Sequence, residues 1–475
     1  MKKLAFAVLI LFLLPFMDMM GHPSRQSASD DSADSQASRY ISPTPDSFPI
    51  IASSPVYDNR IPTRRDIELL TQCGFNCAIG SASTNALCTL LRDVEDLDFS
   101  LIYDVATHFN RDFSPCRNKI SAIRSYLERE GLRSSLIGGY RIKDEPTISE
   151  LDDLKDFLDS VHSADSTVMP LVNLFGSHFR NAMQRESPQH EYSGDASRRD
   201  AYLNYLNTYY QTVQPGAWCY DYYPFTCNSQ NDEVGICRND FYYDLQLFAH
   251  LSRQTGIPFW AFCQSTHVHT WDATGTSYQG HPEATEQRLR FEAFNALAFG
   301  AQGLIYWRYA DQDSHGVEEY ISSLVDQDGD PYPAWTAAQT INREIRKYQN
   351  VFLGAKVKGY FFLGSQHIRP EGVGDIPDTI PGLHARLVSG PGALISELSN
   401  GGTKYLVVVN QDPDSVTQVS LTAKWHSLAI LPQDFRYFEI QDSIGIVQRE
   451  PVVVPYITTR VTLQPSKYVI YGYIE

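Results

Sequence analysis

Positive charge is in short supply in this sequence: 39 Lys and Arg stand against 56 Asp and Glu over 475 residues, a formal net charge of −17. A phosphate-binding face needs clustered Lys and Arg, and none is visible, so nucleic acid is not an expected partner. The acidic residues form no long run and read as a solvated surface. The apolar run that opens the chain, Leu4 to Phe16, falls short of the ~20 residues a spanning helix needs. No Cys/His spacing resembles a zinc site, and no glycine-rich stretch resembles a phosphate cradle. Neither a cofactor nor a structural metal is therefore expected. A repeat of solenoid length is also missing.

What is present divides the chain into four parts. Met1-Lys2-Lys3 ahead of the short apolar run reads as an export signal over 1–21, cleaved near Gly21. It implies a periplasmic or secreted protein with no stable membrane insertion after cleavage. Residues 22–46 are rich in Ser and Asp and lack hydrophobic periodicity, so they are expected to be a disordered linker. Export makes disulfides possible for the eight cysteines. Cys227 and Cys237 flank the segment CNSQNDEVGIC and could staple it, whereas Cys73 and Cys77 are expected to pack as small apolar side chains.

The third part, 47–354, alternates short apolar strands with amphipathic helices, the pattern of a parallel barrel. Eight strands are expected, at 49–55, 75–80, 99–105, 135–142, 168–175, 217–223, 258–265 and 303–309. Eight is the number that closes a (β/α)8 TIM barrel, and a hydrophobic fraction of 43% supplies its core. Thr147 and Glu150 form a capping box ahead of Leu151, Leu154, Leu158 and Val161 at helical spacing. From 355 to 475 the helical pattern disappears. KYLVVVNQ, TQVSLTA, RYFEIQ, TRVTLQ and KYVIYGY are short β-branched or aromatic runs between turn signals, which predicts an antiparallel β-sandwich. The fold class is thus α/β, a TIM barrel followed by a sandwich.

Barrel sites gather at the C-terminal ends of the strands. There the sequence places Asp104, Asp144 and Glu145, Asn173 and His178, Asp221 with Tyr222 and Tyr223, Gln264 and His267, and Trp307 with Arg308. Carboxylates with amides and aromatics suit glycoside cleavage: one acid protonates the leaving oxygen and a second carboxylate attacks or stabilises the sugar carbon. Glu145, in the motif KDEP, is the expected acid, since Asp144 opposes its ionisation and Pro146 ends the strand ladder after it. Asp221, two strands away, is the expected second carboxylate. Asp144, Asn173, His178, Tyr222, Gln264, His267 and Trp307 are the expected substrate-binding residues. Each also has a structural reading: Asp-Glu-Pro-Thr is an ordinary helix start, and a lone strand-end His is commonly structural. A Tyr-rich chain, with 28 of them, leans towards sugars as ligands.

GFN at the second strand, GGYRIKDEP at the fourth, DYYP at the sixth and EAFNALAFGAQGLIYWRY into the eighth resemble exported β-galactosidase-like glycoside hydrolases of the retaining (β/α)8 clan. The closing LQPSKYVIYGY resembles the accessory β domain that follows such barrels. The resemblance implies cofactor-free hydrolysis of oligosaccharides or glycan side chains, with Glu145 as acid/base. Two departures stand out. Asp144 occupies the place where the clan has Asn, and the seventh strand reads FWAFCQS, with Gln264 in place of the nucleophilic Glu. An amide cannot form the usual glycosyl ester. Three readings stay open: Asp221 is the second carboxylate, with a retaining or inverting geometry undecided; Glu283 or Glu286 swings in; or the barrel binds glycans without cleaving them. A lyase has little support in the motifs, and the oligomeric state is open.

Overall fold

The computed structural model describes residues 42–56, 60–106, 113–178, 195–365, 367–370, 373, 376–423, 437–441, 445–449 and 457–474. The expected export signal lies outside them, as does the expected linker up to residue 41. Within the remainder of that linker, Pro43 and Thr44 are buried in a turn, and the Thr44 hydroxyl donates to the Ser47 carbonyl at 2.9 Å.

Eight parallel strands close into a barrel: Ile50–Ser53, Cys77–Gly80, Ser100–Asp104, Ile137–Asp144, Met169–Phe175, Trp218–Asp221, Phe259–Gln264 and Leu304–Trp307. The ring is sealed where the first strand pairs with both the second and the eighth, Ile51 lying opposite Cys77 and Ile305. Strands covered on both faces become continuous apolar runs, and in the fifth all seven residues are buried. Ile51, Ile102, Met169, Leu171, Trp260 and Ile305 share one cluster, and Cys77 and Cys219 fill gaps in the same cluster as small apolar groups. Cys73 is also buried.

The helices follow their sequence signals. Glu150 accepts the Thr147 amide at 2.8 Å, the expected capping box, and the helix Leu151–Ala164 buries Leu151, Leu154, Phe157, Leu158 and Val161. The helix Glu286–Ala298 is buried on nearly every side because it lies between the barrel and the C-terminal sheets. Phe294 stacks on Tyr468 at 3.7 Å, and the Ser396 hydroxyl donates to the Ala298 carbonyl at 2.6 Å.

Beyond the barrel, two antiparallel sheets face each other. One has six strands, Lys356–Gly364, Gly392–Asn400, Thr403–Asn410, Tyr468–Ile474, Tyr437–Gln441 and Gly445–Arg449, and the other has three, Leu383–Ser389, Thr417–Ala423 and Ile457–Leu463. Ile395, Val408, Val419, Leu421 and Val469 form a core of their own. No helix among the described residues is long and apolar enough to cross a membrane.

A further sheet was not expected from the sequence. The connections after the sixth, seventh and eighth barrel strands contribute Phe225–Asn228, Asn231–Ile236, His267–Trp271, Tyr278–His281 and Glu318–Ser322 to one antiparallel five-stranded sheet. It stands at the C-terminal mouth of the barrel.

Candidate active site

At the mouth, the fourth, fifth and sixth strands bring three carboxylates and an amide together. The fourth strand ends in Asp144, and Glu145 follows with φ of +44°, a left-handed conformation that side chains other than glycine rarely take. Its amide donates to the Asn173 carbonyl on the fifth strand at 2.8 Å, which anchors the turn. Asn173 Nδ2 in turn donates to Asp144 Oδ1 at 3.0 Å. Arg141, earlier on the fourth strand, holds Asp104 at 2.7 Å and Asp144 at 2.6 Å, so Asp144 and Asp104 are compensated. Among the described residues, Glu145 has no such ion-pair partner.

That difference sets the protons. Burial, then the neighbouring Asp144 charge, push the Glu145 carboxyl up to about 7, with Arg141 pulling the other way. Asp221, which ends the sixth strand, is driven well above the usual carboxylate range by burial and by the charges of Glu145 and Asp144, against a hydrogen bond from Asn173. One of its oxygens, Oδ1, is buried without a hydrogen-bond partner among the described residues. Glu145 and Asp221 therefore form a coupled pair that holds on to a proton near neutrality.

The aromatics divide according to the direction in which each faces. Tyr222 turns into the core: its hydroxyl donates to the Cys237 carbonyl at 3.3 Å and its ring packs on Phe241 and, edge-on at 4.7 Å, on His178. Tyr223 turns to the carboxylates. Burial and the charges of Asp221, Asp144, Glu145 and Glu292 all raise its hydroxyl, which is buried without a partner among the described residues. Its ring stacks on Trp307 at 5.1 Å and meets His281 edge-on at 5.3 Å. Tyr223 was expected at the mouth but not among the substrate-binding residues, and His281 and Glu292 were not singled out by the sequence.

Gln264 is 2% exposed. Its backbone N–H donates to Glu292 Oε2 at 2.7 Å and its Nε2 to the Pro282 carbonyl at 3.2 Å. Glu292, 1% exposed on the helix Glu286–Ala298, is pushed well above the usual carboxylate range by burial. Of the two glutamates considered as replacements, Glu286 is engaged by Arg290 at 2.7 Å, and Glu283 is exposed. His267 lies on the mouth sheet, with Nε2 at 3.1 Å from His269 Nε2. The staple between Cys227 and Cys237 does not form, since both thiols are free.

The β-galactosidase model of glycoside hydrolase family 42 matches residues 182–348. Solved structures with a similar chain path include a family 42 β-galactosidase from G. stearothermophilus, 9% identical with a TM-score of 0.47, covering 90% of this chain and 98% of that one. A GH30 endoxylanase from Clostridium papyrosolvens C71 is 10% identical with a TM-score of 0.42, covering 90% and 96%. A β-galactosidase from the psychrophilic Marinomonas ef1 is 11% identical with a TM-score of 0.41. There the alignment covers 63% of this chain and only 60% of that enzyme's length. No curated protein matches the sequence. The chain thus has a closed eight-stranded parallel barrel, and its segment 182–348 is similar to the family 42 β-galactosidase model.

Proposed function

We propose that the chain hydrolyses a glycosidic bond with Glu145 as the general acid and Asp221 as the second carboxylate. The observation that carries this reading is the pair itself. Glu145 is pushed up to about 7 at a strand end of the barrel mouth, and the half-buried Asp221 is raised by desolvation and by the Glu145 and Asp144 charges. The two share one proton, which in the reactive form rests on Glu145 and leaves Asp221 ionised. Glu145 gives its proton to the leaving oxygen as the bond to the anomeric carbon breaks. The ionised Asp221 either removes a proton from the attacking water, which inverts the anomer, or bonds to the anomeric carbon as a glycosyl ester that water, deprotonated by Glu145, then displaces, which retains it. Asn173 and Asp144 present polar groups to sugar hydroxyls. Trp307 with Tyr223 offers the aromatic face, a role moved from Tyr222 because that side chain is committed to the core. Gln264 is a structural element of this site rather than its nucleophile. A β-galactoside is the first substrate to try, given the family the segment resembles, and a periplasmic or secreted location fits an oligosaccharide substrate.

The test is turnover of an aryl β-galactoside, followed by a wider panel of aryl glycosides. Glu145→Gln should lose about 10²–10⁴-fold in rate with an unchanged circular dichroism spectrum. Full activity in that variant ends the assignment. The anomer released first, read by proton NMR, tells an inverting Asp221 from a retaining one. Sugar binding without turnover anywhere in the panel would make the barrel a glycan-binding protein instead.

A further inference from the structure

The five-stranded sheet at the mouth places three donor groups together that lie far apart in the sequence. Along the strand His267–Trp271, side chains alternate between faces, so His267 and His269 share one. Across the sheet, His269 is paired with Gly280, and Gly280 with Cys227. Cys227, Gly280 and His269 thus form one row, and residues in a row point to the same face. Gly280 adds no side chain between the other two. A Cβ there would come within 1.9 Å of the Val268 carbonyl oxygen, so no other residue fits the position as it stands.

The donor atoms of Cys227, His267 and His269 all lie within 4.8 Å of one another, and the two Nε2 atoms are 3.1 Å apart. Two nitrogens bound to tetrahedral zinc at about 2.05 Å sit about 3.3 Å from each other. The His269 ring is aimed as a ligand would be. Its other nitrogen, Nδ1, faces Glu319 Oε2 at 3.8 Å, Glu319 is itself held by Trp271 Nε1 at 2.9 Å, and Tyr278 stacks on the ring at 3.6 Å. A carboxylate behind a ligating imidazole fixes its tautomer and orientation.

We propose that Cys227, His267 and His269 bind one zinc ion, with water in the fourth position. One sulfur and two nitrogens form a borderline-soft set that suits zinc and not calcium or magnesium. Both imidazoles ligate through Nε2 and carry their proton on Nδ1, while the Cys227 thiol gives its proton to the buffer. The ion joins the connection after the sixth barrel strand to the one after the seventh. His281, next to Gly280, carries that brace to Tyr223 and Trp307. The inference does not depend on the catalytic reading.

The experiment is a zinc titration of the full chain against a chromophoric chelator after chelator treatment, with thermal melting of the metal-free and zinc-loaded protein. One zinc per chain and a higher melting temperature with zinc are expected. Cys227→Ser and His269→Ala should each lose both effects, while melting like the metal-free parent. Glu319→Gln should bind about 10–100-fold more weakly, and Cys237→Ser, altering an exposed thiol outside the cluster, should bind as the parent does. No bound zinc in the parent, or undiminished binding in both Cys227→Ser and His269→Ala, overturns the proposal.

Discussion

Glu145 joins a raised proton affinity to a backbone conformation that costs about 1–2 kcal/mol for a residue with a Cβ. The two can be separated. Glu145→Gln keeps the Cβ and removes only the acid, whereas Glu145→Gly also relieves the left-handed strain. Urea unfolding of Glu145→Gly should therefore show stability equal to the parent or higher by about 1 kcal/mol, with turnover lost. A clear loss of stability would instead mean that the carboxylate holds the strand end together. The position of this residue was legible because a strand, an acidic pair and a proline coincide in KDEP. The choice between Tyr222 and Tyr223 was not. The sixth strand ends at Asp221, and beyond it the two-residue alternation that assigns faces no longer applies.

The eight barrel strands were legible because each is a compact apolar run between helical stretches, and all eight formed within a few residues of where the pattern put them. The mouth sheet was invisible for the opposite reason: segments such as HVHTW and YQGH are polar, short and held by long-range pairing rather than by burial. That same concealment hid the Cys227, His267 and His269 cluster, since no spacing rule spans strands joined through a third. The seventh strand shows a different limit. Its Gln264 reads as a lost nucleophile in one dimension, but in three it is a buried donor to Pro282 whose backbone meets Glu292. Gln264→Glu should therefore not restore a nucleophile. It would set a carboxylate oxygen against the Pro282 carbonyl and add a second buried acid beside Glu292, costing about 2–4 kcal/mol in urea unfolding without a gain in turnover. A stable, more active Gln264→Glu protein would show that the position does face the substrate.

At the scale of the whole molecule, acids buried on folding tie protonation to stability. Asp244, on the helix Arg238–Thr255, is fully buried and accepts the Ser177 amide at 3.0 Å. Burial lifts its carboxyl to about 7, against the Ser177 bonds and Arg198. Folded chains keep that proton at pH values where unfolded chains have released it. Its contribution is thus fully present below the ordinary carboxylate range and is lost as pH rises towards 7. Other groups act in the opposite direction: burial lowers the His281 and His367 imidazoles, which disfavours the fold as pH falls through the ordinary histidine range. The overall pH curve mixes these signs, so a difference between two proteins is the cleaner measurement. Asp244→Asn keeps an acceptor for the Ser177 amide and removes the titration. Between pH 5 and pH 8 its stability relative to the parent should rise by roughly 2–3 kcal/mol, because a proton held only by the folded parent costs it about 1.4 kcal/mol per pH unit until that proton leaves near pH 7. A flat difference across that range would mean that Asp244 is ionised throughout, with Arg198 compensating its charge.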